Sequence, residues 1–93
     1  MELEVCVFEA KGGDAAGLAK AINEGGSADL ASCDGCQKVT AYAGIENPGA
    51  ALLLVEWDSV QDHEAAKTSP HFASFVKKIS PFLGGAASVQ HYR

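Results

Sequence analysis

The chain has 93 residues, 47% of them hydrophobic and 20% charged, and seven Lys/Arg against twelve Asp/Glu give a formal charge of −5. That length makes one domain, residues 1–93, which buries only about 60–65% of its unfolded surface and leaves room for a partner subunit to supply more. The composition argues against disorder, and the acidic balance argues against binding nucleic acid or an anionic membrane surface.

The start of the chain, Met1-Glu2-Leu3-Glu4, is acidic where a signal peptide would be basic. No apolar run approaches the roughly 20 residues that span a bilayer. Three Cys is an odd number and too few for a secreted disulfide scaffold. The expectation is a cytoplasmic protein with reduced thiols.

Glu2 to Phe8 alternates as a strand, with Leu3, Val5 and Val7 on one side and Glu4, Cys6 and Phe8 on the other. Asp14 is a fitting N-cap for a helix through about Asn23, whose apolar stripe is Ala15, Leu18, Ala19 and Ile22. Gly25-Gly26 predicts its end. Ser27 to Gly35 reads as an irregular connection with room for a short helical turn.

Cys36 to Ala43 and Ala50 to Trp57 read as two strands joined through the turn Asn47-Pro48-Gly49. The second of them, AALLLVEW, is nearly continuous in apolar residues, which predicts cover on both faces. Ser59 then caps a helix running to about Lys67, with Asp62 as capping-box partner. Ser69-Pro70 starts another, on which Phe72, Phe75, Val76 and Ile79 form the strongest amphipathic stripe in the chain. Pro81 ends it, and Ala86 to Tyr92 reads as a last strand.

The order is βαββαβ, an α+β ferredoxin-like fold with an antiparallel sheet and helices on one face. The open face of so apolar a sheet needs a cover, so a homodimer packed sheet on sheet is expected.

Cys33-Asp34-Gly35-Cys36 is a C-x-x-C, but a strand follows it where a redox motif has a helix N-terminus. Neither Cys6 nor the three His complete a zinc spacing, and Gly12-Gly13 and Gly25-Gly26 match no phosphate loop. Cys36 is read as a small buried residue and Cys33 as an incidental loop residue. The expectation is a protein without flavin, haem or metal.

The block from Pro48 to Pro81 carries a resemblance. Its apolar strand ending in Trp57, then Asp58-Ser59, then Ser69-Pro70-His71-Phe72 and Phe75, resembles the antibiotic biosynthesis monooxygenase domain of the dimeric α/β-barrel superfamily. Gly35-Cys36 resembles the family's start to the second strand, and the βαββαβ order extends the likeness along nearly the whole chain. The resemblance implies a dimeric α/β barrel. Its function class includes cofactor-free oxygenases of quinols and polyketide phenols, haem-degrading members and other enzymes. The haem-degrading residues are not matched: the first strand has no Asn, and Ala66 and Val76 stand where those members have Trp and His. A His that many quinol-oxidising members carry nine residues after the strand-three Trp is also replaced, again by Ala66. His63, in W-D-S-V-Q-D-H, instead resembles another branch of the superfamily.

On the helix from Ser59, about 100° per residue puts Val60, His63 and Ala66 on one apolar arc, so the imidazole of His63 points at the sheet. It reads either as a base or donor in the cleft between helix and sheet, or as a core histidine satisfied by a backbone carbonyl. His71, in the first turn of the next helix, reads either as a neutral acceptor at the cleft mouth or as a helix-start residue. Trp57 packs the core or stacks a substrate, and Tyr42 is a candidate phenolic donor to a ligand. Phe72 and Phe75 are candidate pocket walls. His91 reads as a dimer or surface residue. The resemblance implies a cofactor-independent monooxygenase of a small phenol or quinol, with His63 and His71 as catalytic candidates. The alternative is a non-catalytic dimeric barrel that binds a small hydrophobic or aromatic molecule or serves as an assembly module.

Overall fold

Alternating burial along four strands divides one sheet into a covered and an open face. In the computed structural model, which describes residues 1–93, these are β1 (Glu2–Ala10), β2 (Cys36–Ala43), β3 (Ala50–Trp57) and β4 (Leu83–Tyr92). They pair antiparallel in the order β2-β3-β1-β4. The helices α1 (Ala15–Ala21), α2 (Ser27–Ala31), α3 (Val60–Ala66) and α4 (Pro70–Ile79) cover one face, so the expected ferredoxin-like α+β fold is the observed one.

On the covered face lie Glu4, Cys6, Phe8 and Ala10 of β1 and Ala51, Leu53, Val55 and Trp57 of β3. They pack against Leu18, Ile22, Phe75 and Ile79 from the helices. The open face carries Leu3, Val5, Val7, Leu52 and Leu54, flanked by Tyr42 and Tyr92, each 52% exposed. The expected cover on both faces of β3 is therefore met within the chain on one side only.

The caps follow the sequence. Asp14 accepts from Gly17 N, Ser59 from Asp62 N and Ser69 from Phe72 N, and each satisfies a first-turn amide that has no intrahelical partner.

Two boundaries differ from expectation. Gly25-Gly26 does not end the first helix; residues Ile22–Gly26 form a π-helical turn that runs on into α2. Gly26 has ordinary helical angles, φ −63° and ψ −30°, so it is not a left-handed cap. It is a packing residue: a Cβ there would stand 2.8 Å from Cδ1 of Phe75. The wide turn also aims Asn23 at the edge of β2. Its amide donates to Ala41 O and accepts from Ala41 N, both at 2.9 Å, so a side chain does for the edge what another strand would. Likewise Gly84-Gly85 belong to β4, because Gly84 lies so close over Ala10 that a Cβ would meet its carbonyl at 2.9 Å.

The two neighbouring glycines make a test. Gly26→Val must displace the Phe75 ring and should destabilise the fold by about 1–3 kcal/mol. Gly25→Ala, whose Cβ would meet only Lys78 Cδ at 3.9 Å, should stabilise by up to about 1 kcal/mol. Urea unfolding of the two variants against wild type measures both signs.

Candidate active site

The register of the sheet sets a carboxylate among apolar residues. Glu4 sits on the covered face of β1, opposite Val55 of β3 and His91 of β4, and is 6% exposed. Trp57 lies on the same face of β3, and its indole N–H donates to Glu4 Oε1 at 3.0 Å. From above, α3 presents His63, 3% exposed, with Nε2 3.3 Å from the same oxygen. Its other nitrogen, Nδ1, is 2.7 Å from His91 Nε2. The Trp57 and His63 rings stack, 5.2 Å apart and 14° from parallel, while the His91 ring tilts at 56° to His63.

Glu4, Cys6 and His63 form one side of a cavity of about 180 Å³ between sheet and helices. Phe8, Leu53, Phe72, Phe75 and Ile79 give it apolar walls, and the exposed side chains of Lys67, Val76 and Val89 also line it. A larger open groove of about 570 Å³ lies by Gly13, Asn47 and Ser88, where Glu9 is the one ionisable side chain. The polar chemistry is in the smaller, more enclosed space.

Burial holds the pKa of His63 below its ordinary value; the charges of Lys67 and His91 act the same way, while Glu4 and Glu64 oppose them. His63 is therefore a neutral imidazole at pH 7. Burial pushes the Cys6 thiol up to about 12, with the Glu4 charge adding to the effect, and Cys36 to about 11. Both stay protonated, unlike a nucleophilic thiol. Cys33 is the more buried of the C-x-x-C pair and Cys36 only half-buried, the reverse of expectation, because Cys33 tucks behind α2 with Sγ 3.6 Å from Ser69 Oγ. No three His, Cys, Asp or Glu side chains are arranged to hold a metal ion. Glu4 and His91 approach opposite nitrogens of His63 and do not converge on one point.

Of the residues singled out in the sequence, the fold brings together His63, Trp57, Phe72 and Phe75. Trp57 lies behind His63 and Glu4 and does not line the cavity. Tyr42 is not at the site: it pairs with Leu52 on the open face, since its parity along β2 is opposite to that of buried Ala41. His71 is also elsewhere. It is exposed on the outer side of α4, beside a shallow groove with Cys33, Asp62 and Ser69. Glu4, Cys6 and His91 were missed. Alternation along β1 already put Glu4 with Cys6 and Phe8, and an acid on the side that helices cover was the available signal. His91 needed the β1–β4 register.

A sequence profile of the antibiotic biosynthesis monooxygenase family matches residues 1–78. Nothing among curated proteins matches the chain. Among solved structures, a candidate antibiotic biosynthesis monooxygenase from Bordetella bronchiseptica is similar at a TM-score of 0.89, with 20% identity over 99% of this chain and 94% of that one. Another such candidate, from Caulobacter crescentus, gives 0.77 and 16% identity over 98% and 86% of the two chains. A conserved protein from Methanosarcina mazei gives 0.76 and 19% identity over 100% and 92%. At these identities the likeness is one of fold. With the profile covering β1 through most of α4, the chain belongs to the antibiotic biosynthesis monooxygenase family.

Proposed function

We propose that the protein is a cofactor-independent monooxygenase of a small, single-ring phenol or quinol bound between sheet and helices. The observation that carries this reading is a buried carboxylate and a neutral imidazole lining a cavity of about 180 Å³ whose walls are otherwise apolar except for Lys67 at its exposed side. An apolar cavity of about 150 Å³ accommodates benzene, so this one suits a single substituted ring and is too small for a fused tricycle. The chemistry is proton removal followed by reaction with dioxygen. The Glu4–His63 pair takes the phenolic proton, and the electron-rich anion forms a C–O bond with O₂. One oxygen atom stays on the ring and the other leaves as water, so a phenol gives a quinone and a hydroquinone gives a hydroxyquinone. The substrate supplies all four electrons. Apolar walls exclude bulk water from the anion.

Dioxygen uptake by the purified protein, measured with single-ring phenols and hydroquinones and with anthrones, tests this. Uptake with the single rings and none with the tricycles is expected. Binding of the single rings without uptake would make the protein a ligand-binding barrel instead.

We also infer that two copies pack their open sheet faces together about a two-fold axis, because Leu3, Val5, Val7, Leu52 and Leu54 form an apolar surface that the chain itself leaves uncovered. Such a dimer is expected to bury on the order of 1,200 Å² or more. Sedimentation equilibrium at micromolar concentration should give a dimer, and Leu54→Lys should give a folded monomer. A wild-type monomer would refute the dimer.

The proposed chemistry uses His63 neutral, and its lowered pKa fixes how stability depends on pH. Between the lowered native value and the unfolded value near 6.5, the unfolded state binds the extra proton. The stability that His63 contributes is thus complete above about pH 6.5 and is lost as pH falls toward its native pKa. The groups facing it are Glu4 from β1, His91 from β4, and Glu64 and Lys67 from its own helix. Melting temperature should fall as pH drops from 7.5 through 6, and His63→Gln should flatten that part of the curve. An unchanged slope in the variant would show that another group titrates there.

A further inference from the structure

Three polar side chains from three elements meet on the covered face: Glu4 of β1, His63 of α3 and His91 of β4. Glu4 and His91 are direct cross-strand partners, so the β1–β4 register brings His91 to the cluster. Both nitrogens of the His63 ring face a polar partner: Nδ1 is in hydrogen-bond contact with His91 Nε2 at 2.7 Å, and Nε2 lies 3.3 Å from Glu4 Oε1, within ion-pair range. An ionised carboxylate offers only acceptor lone pairs, so it favours the proton on Nε2. Nδ1 is then an acceptor, and a 2.7 Å contact between two ring nitrogens requires a proton between them. The N–H of His91 Nε2 supplies it.

A neutral His63 held in this way has no free lone pair for a substrate. Glu4 has one. Its Oε1 takes the Trp57 N–H, its Oε2 has no hydrogen-bond partner in the protein, and the residue lines the cavity. We propose that His91 is a positioning residue that, by donating to His63 Nδ1, fixes the imidazole as an Nε2–H group facing Glu4 and so leaves Glu4 as the acceptor of the substrate's phenolic proton. This rests on the oxygenase reading above.

The step balances. The phenolic O–H breaks, its proton goes to the free oxygen of Glu4, and its electron pair stays on the phenolate. A ring carbon that carries hydrogen, para to that oxygen in a simple phenol and ortho to it in a hydroquinone, bonds to dioxygen, the oxidant. The O–O bond then breaks, and the second oxygen leaves as water with the proton held by Glu4 and the hydrogen of the attacked carbon. Glu4 returns to a carboxylate. Burial keeps His63 neutral throughout, and Lys67 and the second imidazole disfavour a charge on it.

The first test needs no substrate. Long-range ¹H–¹⁵N spectra of labelled protein at pH 7.5 should show His63 as the Nε2–H tautomer. His91→Leu should mix the tautomers, and His91→Gln, whose amide can still donate, should restore Nε2–H. A wild-type Nδ1–H tautomer, or a tautomer that His91→Leu leaves unchanged, overturns the positioning role whatever the activity. The second test uses a phenol that the wild type oxidises. Glu4→Gln should lower kcat about 10²–10⁴-fold. His91→Leu should lower it about 10–100-fold with little change in KM, and His91→Gln should recover most of the loss. A Glu4→Gln protein with wild-type kcat overturns the acceptor role. The expected tautomers with no oxidation of any phenol would instead refute the oxygenase reading, and the acceptor role with it.

Discussion

A charge withdrawn from water is the constraint that organises this molecule. An unpaired buried carboxylate costs several kcal/mol, and Glu4 has only its neighbours on the covered face to offset that cost. Trp57 reaches it from the end of β3 and His63 from the last turn of α3, so both elements must stop and start where they do. Ser59 fixes the start of α3 by capping it, and Asp58 N donates to Gly35 O to hold the turn from β3. Glu2 ties the frame from the other side. Its carboxylate accepts from Val60 N at 2.7 Å and from Arg93 Nε at 2.7 Å, pinning α3 and the end of β4 to the start of β1. Those two anchors hold His63 and His91 on either side of Glu4. They also keep the Glu2 carboxyl below its usual pKa, the Val60 amide first and Arg93 second.

The same arrangement explains why the cavity is small and one-sided. Phe72 and Phe75 on α4 lean over the sheet with ring centroids 6.2 Å apart, and α4 can come this close because Gly26 puts no Cβ against Phe75. The polar groups come only from the sheet and α3, while α4 offers aromatic and aliphatic surface. A ring bound there has one polar end and an apolar remainder, the pattern of a phenol.

Much of this was legible in the sequence, for identifiable reasons. Strands with a clean period of two, such as Glu2 to Phe8, and helices with Ser caps, such as those after Ser59 and Ser69, announce themselves locally. The direction of His63 followed from its place on the apolar arc with Val60 and Ala66. What failed depended on contacts between distant segments. Gly25-Gly26 reads as a stop because glycine ends many helices, yet Gly26 answers to Phe75, 49 positions along the chain. Tyr42 reads as a ligand donor on chemistry alone, yet its neighbour Ala41 is the buried residue of β2 and alternation turns Tyr42 to the other face. His91 was readable only from a register that pairs the two ends of the chain.

Cys6 shows how one physical cause serves two ends. It is 3% exposed, on the same cavity wall as Glu4 and His63, and so would stand beside any quinone formed there. Quinones are electrophiles, and a thiolate in that wall would add to the ring and block the site. Burial and the neighbouring Glu4 charge raise the thiol to about 12, so at pH 7 the thiolate is present at roughly one part in 10⁵. The burial that closes this wall of the cavity to water therefore also keeps the sulfur in its unreactive form. A cavity open enough to hydrate the sulfur would favour the thiolate and leave it within reach of the product.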